Sequence, residues 1–354
     1  MSKLLSPFTV RGLTARNRVW VSPMCQYSAA DGLPNDWHFM HLGQFAAGGA
    51  GLVMTESAAV SPAGRISPQD VGIWNDEQVA AWRRITDFVH AQGAKIGIQL
   101  GHAGRKASTR RPWEGRASVP ESEGGWPTVA PSALAFGDYA TPSALTEAEI
   151  QAIVADFAAA AKRALQAGFD AVELHGGHGY LIHQFYSPLS NQRTDGYGGD
   201  FDGRVRFVLE VATAVRAAIG DDVPLFTRLS ATDWADGGWT ADDAVRLSRL
   251  LADHGVDLID ASSAGNTTTP QIPLGPGYQV PFAQRIRAEA KVATGAVGLI
   301  TEPQQAEQIV ATGQADVVFL ARALLRDPHW PLNAARALGG DVEWPSQYVR
   351  ARLS

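Results

Sequence analysis

The chain has a single cysteine in 354 residues, Cys25, and only five lysines. A lone thiol excludes an internal disulfide, a four-cysteine zinc site and any iron–sulfur cluster held by this chain alone. With 30 Lys plus Arg against 36 Asp plus Glu, the formal charge of −6 is spread along the sequence. No basic block is left for nucleic acid or an anionic membrane. No apolar run reaches membrane-spanning length, and residues 1–8 hold no continuous apolar stretch of the secretory kind. Walker A and strand-following Gly-x-Gly-x-x-Gly sequences are absent, so a nicotinamide ligand has to bind without a dinucleotide module. These absences lead us to expect a soluble cytoplasmic protein acting on small molecules.

What is present is an alternation. Short apolar runs at 19–24, 51–56, 94–99, 170–175, 224–229, 256–261, 296–300 and 316–320 read as strands rich in Val, Ile and Leu, without strict polar alternation. Between them lie stretches of helical spacing: 76–92, 146–167, 203–219, 240–254, 281–293, 303–312 and 328–338. Thr146-Glu147-Ala148-Glu149 and Thr240-Ala241-Asp242-Asp243 read as helix starts, with Gly168 and Gly255 as stops. Eight β/α units with no linker and no change of composition predict a single-domain (β/α)8 TIM barrel over residues 1–354. Residues 3–18 are expected to cap its N-terminal face. Residues 101–143, with Trp113, Trp126 and Phe136, read as an ordered excursion after strand three.

Barrels of this type place chemistry at the C-terminal strand ends. Those ends deliver Ser22-Pro23-Met24-Cys25-Gln26-Tyr27, Glu56-Ser57, Gln99 with His102, His175-Gly176-Gly177-His178-Gly179-Tyr180, Arg228, Ser262-Ser263, Thr301-Glu302 and Ala321-Arg322. Neutral His175 and His178 can donate to one substrate oxygen with Tyr180 supplying a proton, or they are structural histidines satisfied by carbonyls. His-x-x-His also chelates, but no further histidine or carboxylate cluster completes a zinc site, so no metal is expected. Arg228 suits a developing anion, or an interior ion pair with Glu173 or Asp260. Gln99 suits an amide-bearing ring edge, or serves as a polar plug. Cys25 is a small hydrophobe or a mouth residue, and Tyr27 adds a hydroxyl or packs. Gly298, Ala321 and Arg322 lie where barrels bind a phosphate. Glu173 and Glu302 near strands four and seven keep a retaining glycoside hydrolase as a remote alternative. No lysine ends a strand, which argues against class I aldolase chemistry.

Asn17-Arg18, residues 22–27, Gly64-Arg65-Ile66, residues 98–106, residues 173–181, residues 187–199, residues 324–328 and Gln347-Tyr348-Val349-Arg350 together resemble the Old Yellow Enzyme flavoproteins. The resemblance is to their thermophilic-like branch of bacterial NADPH dehydrogenases, ene-reductases and xenobiotic reductases. It implies noncovalent FMN lined by Ser22, Pro23, Met24, Cys25 and Ser57, with Gln99 at the pyrimidine edge, Arg228 beside N1, and Gly298, Ala321 and Arg322 at the phosphate. It further implies NADPH or NADH as reductant at a shared site, in ping-pong order. The substrate is then an enone held by His175 and His178, protonated by Tyr180 and touched by Tyr27 and Cys25. Nitroester, nitroaromatic or quinone reduction uses the same site, and a flavin-binding barrel without turnover stays open. The resemblance also implies a homodimer or homotetramer in which Arg350 reaches a neighbouring active site. Three departures stand out: Ser57 in place of alanine, Ala321 in place of glycine, and the small Gly176-Gly177 spacer.

Overall fold

The computed structural model describes residues 2–115 and 117–352. Eight parallel strands close into a barrel: β1 Val19–Val21, β2 Leu52–Ala59, β3 Lys95–Gly101, β4 Ala171–Gly176, β5 Leu225–Ser230, β6 Leu258–Ser262, β7 Ala293–Ala296 and β8 Val317–Leu320. Helices α1 Asp36–Ala47, α2 Asp76–Ala91, α3 Glu147–Gln166, α4 Phe201–Ile219, α5 Ala241–Asp253, α6 Val280–Ala290, α7 Pro303–Ala311 and α8 Trp330–Ala337 follow the strands. This is the (β/α)8 barrel expected from the alternation. The N-terminal cap is the antiparallel hairpin Phe8–Val10 with Leu13–Ala15, whose Leu13 and Ala15 close the lower interior.

Strand period two sorts the interior into layers, because every second side chain points inward. The lowest layer is apolar: Trp20 stacks on Phe226 at 5.7 Å and meets Phe319 edge-on at 5.5 Å, with Leu52, Met54 and Leu258 beside them. Two residues further along the strands, Glu173, Arg228 and Asp260 form a polar layer, and two beyond that come His175, Ser230 and Ser262. The barrel is thus plugged below by aromatics and open to chemistry above.

Two sequence expectations are corrected. Strand seven is Ala293–Ala296, not 296–300: Lys291 ends α6 in the left-handed region (φ 60°), and Gly298 (116°) and Leu299 (53°) turn the chain out of the sheet. The apolar run 296–300 imitates a strand, whereas the true one is marked by small residues. A Cβ on Gly295 would lie 2.3 Å from the Phe319 ring, so the lower aromatic layer dictates glycine there. Strand one stops at Val21, three residues early, leaving Ser22–Met24 as extended mouth. Helix α1 was not expected at all, because its capping box pairs Asn35 with His38 rather than with an acid or amide.

Among the described residues, the excursion after β3 carries three short 3₁₀ turns and the strand pair Val129–Ala130 with Ser143–Ala144. Among the described residues, no helix is long and apolar enough to cross a membrane.

Trp20→Ala should lower the unfolding free energy by about 3–5 kcal/mol in denaturant titration. Trp113→Ala, at an exposed position, should stay within about 0.5 kcal/mol.

Candidate active site

The mouth is built from three groups of side chains. The first is the β4 turn. His178 adopts φ 58°, which turns its ring back so that Nε2 meets Ser262 Oγ at 2.8 Å, while its backbone N–H donates to Ser230 Oγ at 2.9 Å. The His175 ring lies 5.2 Å from that of His178 and 4.8 Å from Tyr180. His175 Nδ1 accepts from Gly177 N–H, placing its proton on Nε2. Burial, then the Arg228 charge, lowers both histidines well below their ordinary range. Both are neutral imidazoles at neutral pH, able to donate without carrying charge. Burial, followed by Cys25 and Asp70, pushes Tyr180 upward, so it keeps its proton.

The turn itself is held from behind. His183 Nδ1 accepts from Gly179 N–H at 2.9 Å, and Nε2 sits 2.9 Å from Asp233 Oδ1, with both side chains fully buried. Asp233 also accepts from Ser187 Oγ and Trp239 N–H. Burial raises this carboxyl, but His183 and the other donors outweigh it and leave it below the ordinary carboxylate range.

The second group is the β1 mouth with the β2 bulge. The register between β2 and β3 shifts between Met54 and Ser57. The extra residue turns Glu56 toward α1, where it meets His38 Nε2 at 3.2 Å and accepts from Gln26 N–H at 2.9 Å. Ser57 N–H then reaches Cys25 Sγ, and Cys25 and Tyr27 bond through their side chains. Cys25, Tyr27 and Tyr180 pack around Ile66, Ala103 and Ala107. Burial first, then nearby carboxylates, raises Cys25, which is therefore a thiol rather than a thiolate.

The third group lines the floor and far wall. Gln99 Nε2 donates to Glu173 Oε1 at 2.8 Å. Arg228 donates to Ser22 Oγ at 2.9 Å and pairs with Asp260 at 3.1 Å. Of the two carboxylates the sequence offered as its interior partner, Arg228 therefore pairs with Asp260. A cavity of about 170 Å³ between β7 and β8 is lined by Gly298, Ala321 and Arg322 among others, and Gln279, bonded to Ser263, forms part of its wall.

Residues 3–339 match the NADH:flavin oxidoreductase / NADH oxidase family. The chain belongs to that family. It is similar to the NADPH dehydrogenase of Halalkalibacterium halodurans, with 46% identity over 99% of both chains, and to that of Geobacillus sp. WCH70, with 48% identity over 98% of both. Among solved structures it resembles morphinone reductase bound to tetrahydroNAD, at TM-score 0.79 and 29% identity, covering 97% of this chain and 92% of that one. This flavin oxidoreductase is an Old Yellow Enzyme relative with FMN as cofactor, and NADPH is the reductant named for its bacterial relatives.

The donor set fits FMN. Gln99 offers paired donor and acceptor, Arg228 a permanent charge, and the Gly298 backbone a cradle that a Cβ would fill, coming 2.9 Å from Gln279 Nε2. Among the described residues no group of three His, Cys, Asp or Glu is arranged to hold a metal. The glycosidase alternative is overturned by the family match, and its carboxylates do not face each other across a site: Glu173 is buried against Gln99, while Glu302 is exposed at the start of α7. Arg350 is not brought to the mouth. It is exposed on the 3₁₀ segment Ser346–Ala351, whose Tyr348 packs on His329.

Sequence reasoning missed Lys106. Its Nζ binds His178 O at 2.8 Å and Gly265 O at 2.9 Å, and lies 5.1 Å over the Tyr180 ring. Only the folded excursion brings it there. The pairs His183–Asp233 and His38–Glu56 were likewise missed, since nothing local ties residues 50 and 18 positions apart.

His183→Ala leaves Asp233 buried and unpaired and should destabilise the protein by about 3–5 kcal/mol. Because Asp233 is held below its unfolded pKa, its stabilisation is present at neutral pH and lost on acidification. The gap between variant and wild type in urea should therefore narrow below about pH 4.

Proposed function

We propose that this flavin oxidoreductase is an ene-reductase, reducing the activated C=C of α,β-unsaturated carbonyl compounds with electrons from NADPH. The observation that carries the reading is the convergence of two neutral histidines and a protonated tyrosine, His175, His178 and Tyr180, at the barrel mouth. When bound, FMN supplies the two-electron hydride chemistry that joins the two half-reactions at one shared face in ping-pong order. The chain's own residues do the rest. His175 and His178 hold the carbonyl oxygen by hydrogen bonds and draw charge onto it without competing for the proton. Tyr180 delivers a proton to Cα, and Lys106 over its ring steadies the negative charge that remains on the phenol oxygen.

In the same reading Ser22, Pro23, Met24, Cys25 and Ser57 line the flavin. Gln99 binds the pyrimidine edge, and Arg228 places its charge beside it. Gly298, Ala321 and Arg322 take the phosphate, and Tyr27 contacts substrate. Ser57 supports this by its N–H bond to Cys25, so the change from alanine adds a hydroxyl without moving the backbone contact. We assign the enzyme to the cytoplasm as a homo-oligomer in which the exposed Arg350 serves a neighbouring copy's mouth.

Anaerobic addition of NADPH should bleach the yellow FMN spectrum, and 2-cyclohexenone should restore it. Restoration by nitro compounds or quinones but not by the enone would move the reading to those substrates. Tyr180→Phe should slow reoxidation by the enone about 10²–10⁴-fold while leaving reduction by NADPH at the wild-type rate. Equal loss in both half-reactions sinks the proton-donor role. Arg322→Ala should weaken FMN binding by at least about tenfold, as expected on losing one charge-assisted phosphate contact, and leave riboflavin binding unchanged.

A further inference from the structure

Beneath the mouth, one guanidinium faces two carboxyl groups. Arg228 on β5 pairs with Asp260 on β6, and Glu173 on β4 lies in the same layer, fully buried. Glu173 is also the direct cross-strand partner of Gln99 on β3, whose Nε2 it accepts. Among the described residues, its other oxygen, Oε2, has no hydrogen-bond partner. The groups facing Glu173 are thus Gln99, Arg228 and Asp260, with His175 two residues on along its own strand. In this layer the charges balance when one carboxyl is protonated, and leave an excess of one negative charge when both are ionised.

We propose that Glu173 is a positioning residue for the cofactor's pyrimidine end: it fixes which edge of the Gln99 amide faces the flavin, and its charge competes with the flavin's for Arg228. The inference rests on the placement of FMN over Gln99 and Arg228 given above. Glu173 Oε1 accepts from Gln99 Nε2, which an ionised carboxylate and the carbonyl oxygen of a neutral carboxyl both can do, so Glu173 selects Nε2 as the inward atom of Gln99 and leaves Oε1 and the second N–H for a ligand edge that carries both an N–H and a carbonyl. Its effect through Arg228 is electrostatic. Reduction brings negative charge to the pyrimidine end, and an ionised Glu173 opposes that charge while a neutral one does not. Burial, then Asp260, holds this carboxyl above the ordinary carboxylate range, with Arg228 and Gln99 acting against them. Glu173 therefore changes charge close to neutral pH rather than far below it.

The test is the midpoint potential of bound FMN, measured by dye equilibration from about pH 6 to about pH 9, for wild type, Glu173→Gln and Asp260→Asn. Wild type and Glu173→Gln should coincide at the acid end. Wild type should then fall progressively below the variant as pH rises, by the equivalent of about tenfold in the ratio of affinities for reduced and oxidised flavin, or about 30 mV for a two-electron couple. Asp260→Asn leaves Arg228 to Glu173 alone, so the same step should appear at lower pH. That variant carries the test if Glu173→Gln does not fold. FMN affinity of the apoprotein, followed by fluorescence quenching, separates the two layers of the argument. If Gln99→Ala weakens FMN binding but the potential curves overlie at every pH, the role of Glu173 is overturned and the placement of Gln99 survives. If Gln99→Ala binds FMN as tightly as wild type, the placement falls and the inference with it.

Discussion

Everything at the mouth depends on the closure of eight parallel strands, because closure forces every second side chain into a space without water. An apolar residue there packs, whereas a polar one has to find its partner within the barrel. The lower layer takes the first course with Trp20, Phe226 and Phe319. The next takes the second: Arg228 answers Asp260, and Gln99 answers Glu173. These pairs point the guanidinium and the amide before any ligand arrives, so the ordering entropy of two long side chains is met during folding rather than on binding. Preorganised dipoles of this kind are the means by which a protein adds electrostatics to cofactor chemistry.

The same logic governs the ring of donors above. Burial and the nearby guanidinium strip the histidines of charge, and burial holds the proton of Tyr180, which are the states the proposed reading calls on. Their backbone supports lie one layer outward: Asp233 and His183 behind the β4 turn, and Glu56 and His38 behind the β1 mouth. Each support is a buried carboxylate–histidine pair that fixes a backbone N–H, Gly179 in one case and Gln26 in the other. The two walls of the mouth are thus braced by the same device, built from different elements.

The barrel was legible in the sequence because its β/α alternation is a repeated local pattern, and the motifs around Cys25, Gln99 and His175 stood at strand ends where chemistry belongs. The strand at 296–300 misled because hydrophobicity alone does not reveal that Gly298 and Leu299 take positive φ. Helix α1 escaped because a histidine completes its cap. Lys106, Asp233 and His38 were invisible as site residues, since their partners lie 72, 50 and 18 positions away or more and meet only when the sheet closes.

The bulge in β2 decides which face of this strand the mouth receives, because three steps along β2 span two along β3 between the pairs Met54–Gly97 and Ser57–Gln99. Were the same sequence paired regularly from Met54 on, Glu56 rather than Ser57 would stand opposite Gln99, and the two sides of the strand would be exchanged from that point. Glu56 would swing into the barrel, Ser57 would leave Cys25, and His38 would lose its carboxylate. Loss of Thr55 would instead remove the bulge and keep Ser57 opposite Gln99, so the extra residue is a switch of facing rather than a spacer.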